Sequence, residues 1–123
     1  MNVNEMLSRF SFDLAEQPDG YQQLLGIFDT MADWLDANNF QRHHIARQPR
    51  LCGLVVGACL FYKHYYGNRS SDEYRVLRKL QQLLTPEMVC VAASATVAVK
   101  AVYVWMEDML YTQWATDAAA VPA

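Results

Sequence analysis

Apolar residues recur at helical spacing along most of the chain. Over residues 21–38 they follow one face of an α-helix, at i, i+4, i+7 and i+11: Leu24, Phe28, Met31 and Leu35. The same spacing predicts a first helix over residues 4–16, which ends before a turn at Pro18 and Gly20.

A third helix is predicted over residues 49–66, with Pro49 at its first position. Residues 51–62 are apolar on nearly every side, so this helix is expected to be central. Within it, Gly53 and Gly57 lie four residues apart and would let a neighbouring helix approach closely. Close packing in a helical bundle accounts for this spacing better than a membrane pairing motif does.

Ser70 and Glu73 have the spacing of a capping box, which predicts the start of a fourth helix. The segment Thr85-Pro86-Glu87 predicts the start of a fifth helix, which is expected to end near Trp114. Residues 97–105 are rich in β-branched side chains and have a strand alternative, but the alanine content and the helical context favour a helix. The predicted fold is all-α: a compact bundle of four to five helices with a long C-terminal helix, forming one domain over residues 1–114, followed by a flexible tail over 115–123.

Composition supports this fold class. Of the 123 residues, 53% are hydrophobic and 19% are charged, which is the balance of a chain that buries a core. Five glycines and four prolines are few for an all-β sandwich or barrel. Residues 88–106 are mostly apolar, but they are built from small side chains and contain Lys100, so no membrane span is predicted.

The cysteines bear on the compartment. Cys52, Cys59 and Cys90 are odd in number and lack the spacing of a disulfide framework. The N-terminus also lacks the basic start and apolar run of a signal peptide. We therefore expect buried free thiols and a soluble, cytoplasmic protein.

Charge is distributed unevenly along the chain. Residues 1–40 carry one basic and seven acidic residues, a net charge of −6, whereas residues 41–81 carry eight basic and two acidic residues, a net charge of +6. Residues 82–123 have a net charge of −3. The predicted basic patch, a site for phosphate or for an acidic partner, consists of Arg42, Arg47, Arg69, Arg75, Arg78 and Lys79. The predicted acidic face of the second helix consists of Asp29, Asp33 and Asp36.

Two interpretations of this asymmetry remain open at this stage. The basic patch binds nucleic acid or an acidic protein if its side chains form one exposed surface. If instead they interleave with Asp29, Asp33 and Asp36, the charges pair within the fold. A separate candidate docking surface lies near the end of the last helix, where large apolar residues cluster: Trp105, Met109 and Trp114.

Motifs of catalysis and metal binding are missing from the sequence. The histidines and cysteines lack metal-ligand spacing, and no nucleophile elbow or phosphate-binding glycine loop is present. No catalytic residue, metal ligand or cofactor is therefore predicted. The sequence favours a non-enzymatic protein-protein interaction module, a small adaptor, inhibitor or assembly subunit, that binds another protein or itself through charge-complementary faces. The alternative is a helical subunit of a nucleoprotein complex that grips an RNA or single-stranded DNA backbone.

Overall fold

The computed structural model describes residues 3–37, 49–67, 71–84 and 96–120. These residues form five α-helices and one short 3-10 helix, and no strand occurs among them. The α-helices are α1 (Val3–Ser8), α2 (Gly20–Ala37), α3 (Pro49–Tyr66), α4 (Asp72–Gln81) and α5 (Thr96–Ala120), and the 3-10 helix spans Phe12–Glu16. The all-α bundle predicted from the sequence is confirmed.

The predicted first helix, residues 4–16, is wrong as one continuous element. Helix α1 ends at Ser8, and the chain enters the 3-10 helix through Ser11, whose backbone is extended. The Ser11 hydroxyl accepts a hydrogen bond from the backbone N–H of Asp13 at 3.2 Å. A serine hydroxyl that caps a new turn competes with the backbone hydrogen bonds of a continuous helix. At Ser11 the capping hydrogen bond forms, and a new helical element starts there.

Helices α2 and α3 agree with their predictions to within one residue at each end. The four periodic apolar residues of α2 are at most 1% exposed: Leu24, Phe28, Met31 and Leu35. Gly20 begins α2 directly against the 3-10 helix, and a Cβ there would lie only 1.9 Å from the carbonyl oxygen of Leu14. Glycine is therefore required where these two elements meet.

The boundaries of α4 and α5 differ from the predictions. Ser71, not Ser70, is the N-cap of α4, because its hydroxyl accepts from the backbone N–H of Tyr74 at 3.1 Å. The predicted start of α5 at residues 85–87 lies outside the described residues, and α5 continues past Trp114 to Ala120. Alanine has the highest helix propensity, and Gln113 donates to Asp117 one turn later, so these last turns are supported locally. Whether residues 115–123 act as a flexible tail stays a prediction.

Helix α3 is central to the bundle. Most of its side chains are buried, and it packs along α5 on one side and α4 on another, while α2 packs on α4, α5 and the 3-10 helix. The contacts between α3 and α5 move toward the C-terminus of both helices together. Gly57 lies against Val102, Phe61 against Tyr103, and Tyr65 against Glu107. The two helices therefore run parallel, and their C-terminal halves lie side by side.

Helices α3 and α5 approach each other closely at Gly57. A Cβ at this position would lie 2.9 Å from Cβ of Val102 and 3.0 Å from the carbonyl oxygen of Val99. The second glycine of the pair noted in the sequence thus serves close helix packing. Among the described helices, none combines the length and apolar character that crossing a membrane requires.

Candidate functional site

The acidic face of α2 and the basic face of α4 meet each other. Lys79 Nζ lies 2.6 Å from Oδ1 of Asp29 and 2.9 Å from Oδ1 of Asp33. Arg75 Nη1 lies 3.3 Å from the same Asp29 oxygen. The hydrogen bond from Lys79 holds the pKa of Asp29 below its usual value, and the hydrogen bond to Asp29 raises the pKa of Lys79. Two of the six predicted basic-patch residues are therefore paired within the fold.

The other charged residues of the two predicted faces are not part of this cluster. Arg78 is exposed and donates to the Tyr74 hydroxyl at 3.4 Å on its own helix. Asp36 is exposed at the end of α2. Arg42, Arg47 and Arg69 lie outside the described residues. Of the predicted basic patch, the described structure thus leaves Arg78 facing solvent without an ion pair to a described carboxylate.

The three predicted docking residues of α5 separate into two environments. Trp105 is 7% exposed and Met109 is 3% exposed, because both lie on the side of α5 that faces the core beside Met106 and Leu110. This corrects the expectation that they form a docking surface. Trp114 is 49% exposed and is the member of the trio that reaches solvent.

Trp114 belongs to a cluster of rings that joins α3 to α5. Its ring centroid lies 5.5 Å from that of Tyr111 and 6.2 Å from that of Tyr65. The rings of Tyr65 and Tyr111 meet edge to face, with 6.5 Å between centroids. Such tilted arrangements are the favourable ones for aromatic pairs. We call these three residues the aromatic face.

A hydrogen-bond network fixes the aromatic face in place. The Tyr65 hydroxyl donates to Oε2 of Glu107 at 2.5 Å, and it lies 2.7 Å from the Tyr111 hydroxyl, which is then the donor to Tyr65. The carboxylate, followed by the second hydroxyl, raises the pKa of Tyr65 above its ordinary value. Beside this network, the His64 ring hydrogen-bonds the Tyr103 hydroxyl and stacks on its ring. The surface is therefore ordered by contacts that span about forty residues of sequence.

The aromatic face extends along α5 as an exposed apolar stripe. Val104 is 42% exposed and Tyr111 is 49% exposed, and with Trp114 they fall at i, i+7 and i+10, on one side of the helix. Glu107 lies between them, and Asp108 and Asp117 flank the stripe, one on each side by helical position. Residues 101–120 contain these three acidic residues and no lysine or arginine. The stripe thus combines exposed apolar side chains with one carboxylate, Glu107, between them, and it is acidic at both edges.

Metal-ligating and nucleophilic groups are sparse in the described part of the chain. No group of three or more histidine, cysteine, aspartate or glutamate side chains is placed to hold a metal ion within it. Cys52 and Cys59 are buried, and burial raises the pKa of Cys59 to about 12. A thiol in that state is a poor nucleophile. Cys90 lies outside the described residues.

Sequence reasoning named Trp114 but missed Tyr65, Glu107 and Tyr111 as its neighbours. Part of the signal was present, because Glu107, Tyr111 and Trp114 have the spacing of one helix face. The position of Tyr65 depends on how α3 and α5 are aligned, which one sequence does not show. The chain has no match among protein-family models, curated proteins or solved structures, and its function is inferred from its own residues.

Proposed function

We propose that this protein is a protein-protein interaction module whose aromatic face binds a basic, partly apolar segment of another protein. One observation carries the proposal. Three of the four large hydrophobic side chains that are exposed in the described structure lie on one side of α5: Val104, Tyr111 and Trp114. Apolar side chains collected on one face, with polar residues at the rim, are typical of a docking surface.

The residue types of the aromatic face, and the contacts that already order its rings, favour tight binding of a partner. Tryptophan and tyrosine dominate interface hot spots because they bury a large area with few rotatable bonds. Tyr65 contacts both Tyr111 and Trp114, and its hydroxyl is held by Glu107. Since the rings are already ordered in the free protein, a partner would bind with a smaller loss of side-chain entropy.

The charges at the edges of the stripe select the partner's chemistry. Glu107, Asp108 and Asp117 give this part of α5 a negative charge, and residues 101–120 contain no lysine or arginine to offset it. The exposed faces of Tyr111 and Trp114 also attract a guanidinium or ammonium group by cation–π interaction. A segment with arginine or lysine beside leucine-like side chains would pair with the carboxylates and also place its cations and apolar groups on the rings. This is the charge-complementary partner that we propose.

The test is selection of binding peptides from a random library, followed by anisotropy titration of labelled peptides with the full chain. We expect the selected peptides to be enriched in arginine and lysine beside apolar residues. Trp114→Ala and Tyr111→Ala should each weaken binding at least tenfold, by roughly the loss of one hot spot. Leu60→Ala removes an equally exposed side chain from α3, outside the aromatic face, and serves as the matched control.

Three outcomes would contradict the proposal. Selected peptides without basic residues would remove the charge argument, and binding that survives both aromatic substitutions would place the interface elsewhere. Sedimentation that shows a dimer lost in Trp114→Ala would make a second copy of this chain the occupant. Helicity measured by circular dichroism confirms that each variant is folded.

The nucleic-acid alternative has weaker support. It rests on the net charge of +6 over residues 41–81, but Arg75 and Lys79 are engaged by carboxylates of α2. A salt series with labelled single-stranded RNA and DNA tests it directly, with the triple variant Arg75→Glu, Arg78→Glu and Lys79→Glu as the comparison. Binding that falls steeply with salt and disappears in the variant would favour this alternative.

A further inference from the structure

An apolar groove lies at the other end of the α3–α5 contact from the aromatic face. It has a volume of about 200 Å³, and its lining combines residues of α3, of α5 and of the turn after α1: Phe10, Arg50, Gly53, Leu54, Ala101, Val102 and Trp105. Phe10, Leu54 and Trp105 are at most 7% exposed and form its inner wall. Arg50 and Ala101 are exposed, so the groove opens to solvent beside them.

Arg50 is the one charged residue of this lining. Its Nη2 donates to the carbonyl oxygen of Leu7 at 3.3 Å, which holds the guanidinium at the mouth of the groove. No carboxylate of the described residues forms an ion pair with it. A guanidinium has five N–H donors, so most of them remain for a ligand. Arg50 also lies in the first turn of α3, where the helix dipole adds positive potential.

We propose that this groove binds a small organic acid, with its aromatic or short aliphatic body against Leu54, Val102 and Trp105 and its carboxylate on Arg50. An apolar cavity of roughly 150 Å³ is enough to hold a benzene ring. The groove therefore has room for a ring and a short chain that reaches its mouth. Arginine is suited to this role because its planar fork pairs with both oxygens of a carboxylate.

The experiment compares a probe acid with its neutral counterpart, 4-phenylbutyrate against 4-phenylbutan-1-ol. Trp34→Phe and Trp114→Phe leave Trp105 as the single tryptophan, whose indole N–H resonance and fluorescence report on the groove. We expect saturable shifts with a Kd on the order of 1 mM for the acid, and binding at least tenfold weaker for the alcohol. Arg50→Gln should weaken the acid by roughly tenfold or more and change the alcohol little, since it removes a charged hydrogen bond.

A second variant keeps the test decisive if Arg50→Gln disturbs the fold. Ala101→Leu places a larger side chain at the mouth from an exposed helical position, and it should abolish binding of both probes. Ala115→Leu on the exposed end of the same helix and Arg78→Gln on α4 are the matched controls, and both should bind as the parent does. Equal binding of acid and alcohol, acid binding that survives Arg50→Gln, or no shift of Trp105 at about 20 mM probe, well above that Kd, would each overturn the proposal.

Discussion

Nζ of Lys79 lies 2.6 Å from Oδ1 of Asp29, and this contact joins two helices of opposite charge, α4 and α2. Asp29 also pairs with Arg75, so one half-buried carboxylate receives two cations. The charge asymmetry of the sequence is thus used in part to hold the bundle together.

Asp29→Asn is expected to lower the free energy of unfolding at pH 7 by about 1 kcal/mol, because it removes a charged acceptor shared by two cations. The pKa of Asp29 is lowered in the folded protein, so its contribution is present above the unfolded pKa of about 3.9 and is lost as the pH falls through the folded pKa. The difference between parent and variant, measured by urea unfolding, should be constant from about pH 5 to 8 and shrink below about pH 4. Asp36→Asn, on the exposed end of α2, is the control, and a pH-independent difference for Asp29→Asn would contradict the assignment.

Gly57→Ala is expected to lower the free energy of unfolding by roughly 1–3 kcal/mol, because the added Cβ meets both the Val102 side chain and the Val99 carbonyl. Gly26→Ala is the matched control on α2, since a Cβ there has no neighbour within 4 Å. It should raise the free energy of unfolding by about 0.5–1 kcal/mol through helix propensity. Chemical denaturation of both variants checks the pair, and equal effects would show that α3 and α5 are not in close contact at Gly57.

Tyr62→Phe is expected to leave stability unchanged or to raise it by up to about 1 kcal/mol. Tyr62 is fully buried among rings, and its hydroxyl has no hydrogen-bond partner among the described residues. Tyr21→Phe should have the opposite effect, a loss of about 1 kcal/mol, since the Tyr21 hydroxyl donates to that of Tyr66 at 3.2 Å. Urea titrations compare the two, and a larger loss for Tyr62→Phe would mean that its hydroxyl is satisfied in solution.

Cys52 and Cys59 are expected to resist thiol reagents in the folded protein. Burial raises the pKa of both thiols, that of Cys59 to about 12, so the reactive thiolate form is scarce in the folded protein at pH 8. A Cys90→Ser variant restricts the measurement to these two thiols. Its reaction with a chromogenic disulfide should be at least a thousandfold slower than that of the unfolded chain in guanidinium. Labelling of the native protein at the unfolded rate would contradict the buried positions.

The sequence predicts some of these elements well because their determinants are local. The apolar stripe of α2 and the proline start of α3 each lie within one helix, and both helices begin and end within one residue of the predicted positions. The first helix failed because one serine, Ser11, forms a cap that a periodic apolar pattern does not reveal.

The candidate site depends on contacts that are distant in the chain. Lys79 and Asp29 are fifty residues apart, and Tyr65 and Tyr111 are forty-six apart. Their pairing follows from the arrangement of helices, which periodicity within a helix does not determine. The same limit explains Trp105, whose side of α5 faces the core instead of solvent.

The two parts of helix α5 differ in how strongly the rest of the bundle stabilises them. Up to Leu110 it carries buried side chains, whereas from Tyr111 to Ala119 only Gln113 is even half-buried. Amide protons of the first part can exchange with solvent only when the core opens, while those of the last turns are protected by local helix propensity and by the rings of Tyr111 and Trp114. Hydrogen exchange along α5 should therefore change rate within one turn after Leu110. A partner bound to the aromatic face would slow exchange beyond that point. The exchange rates at the end of α5 would therefore report whether the face is occupied.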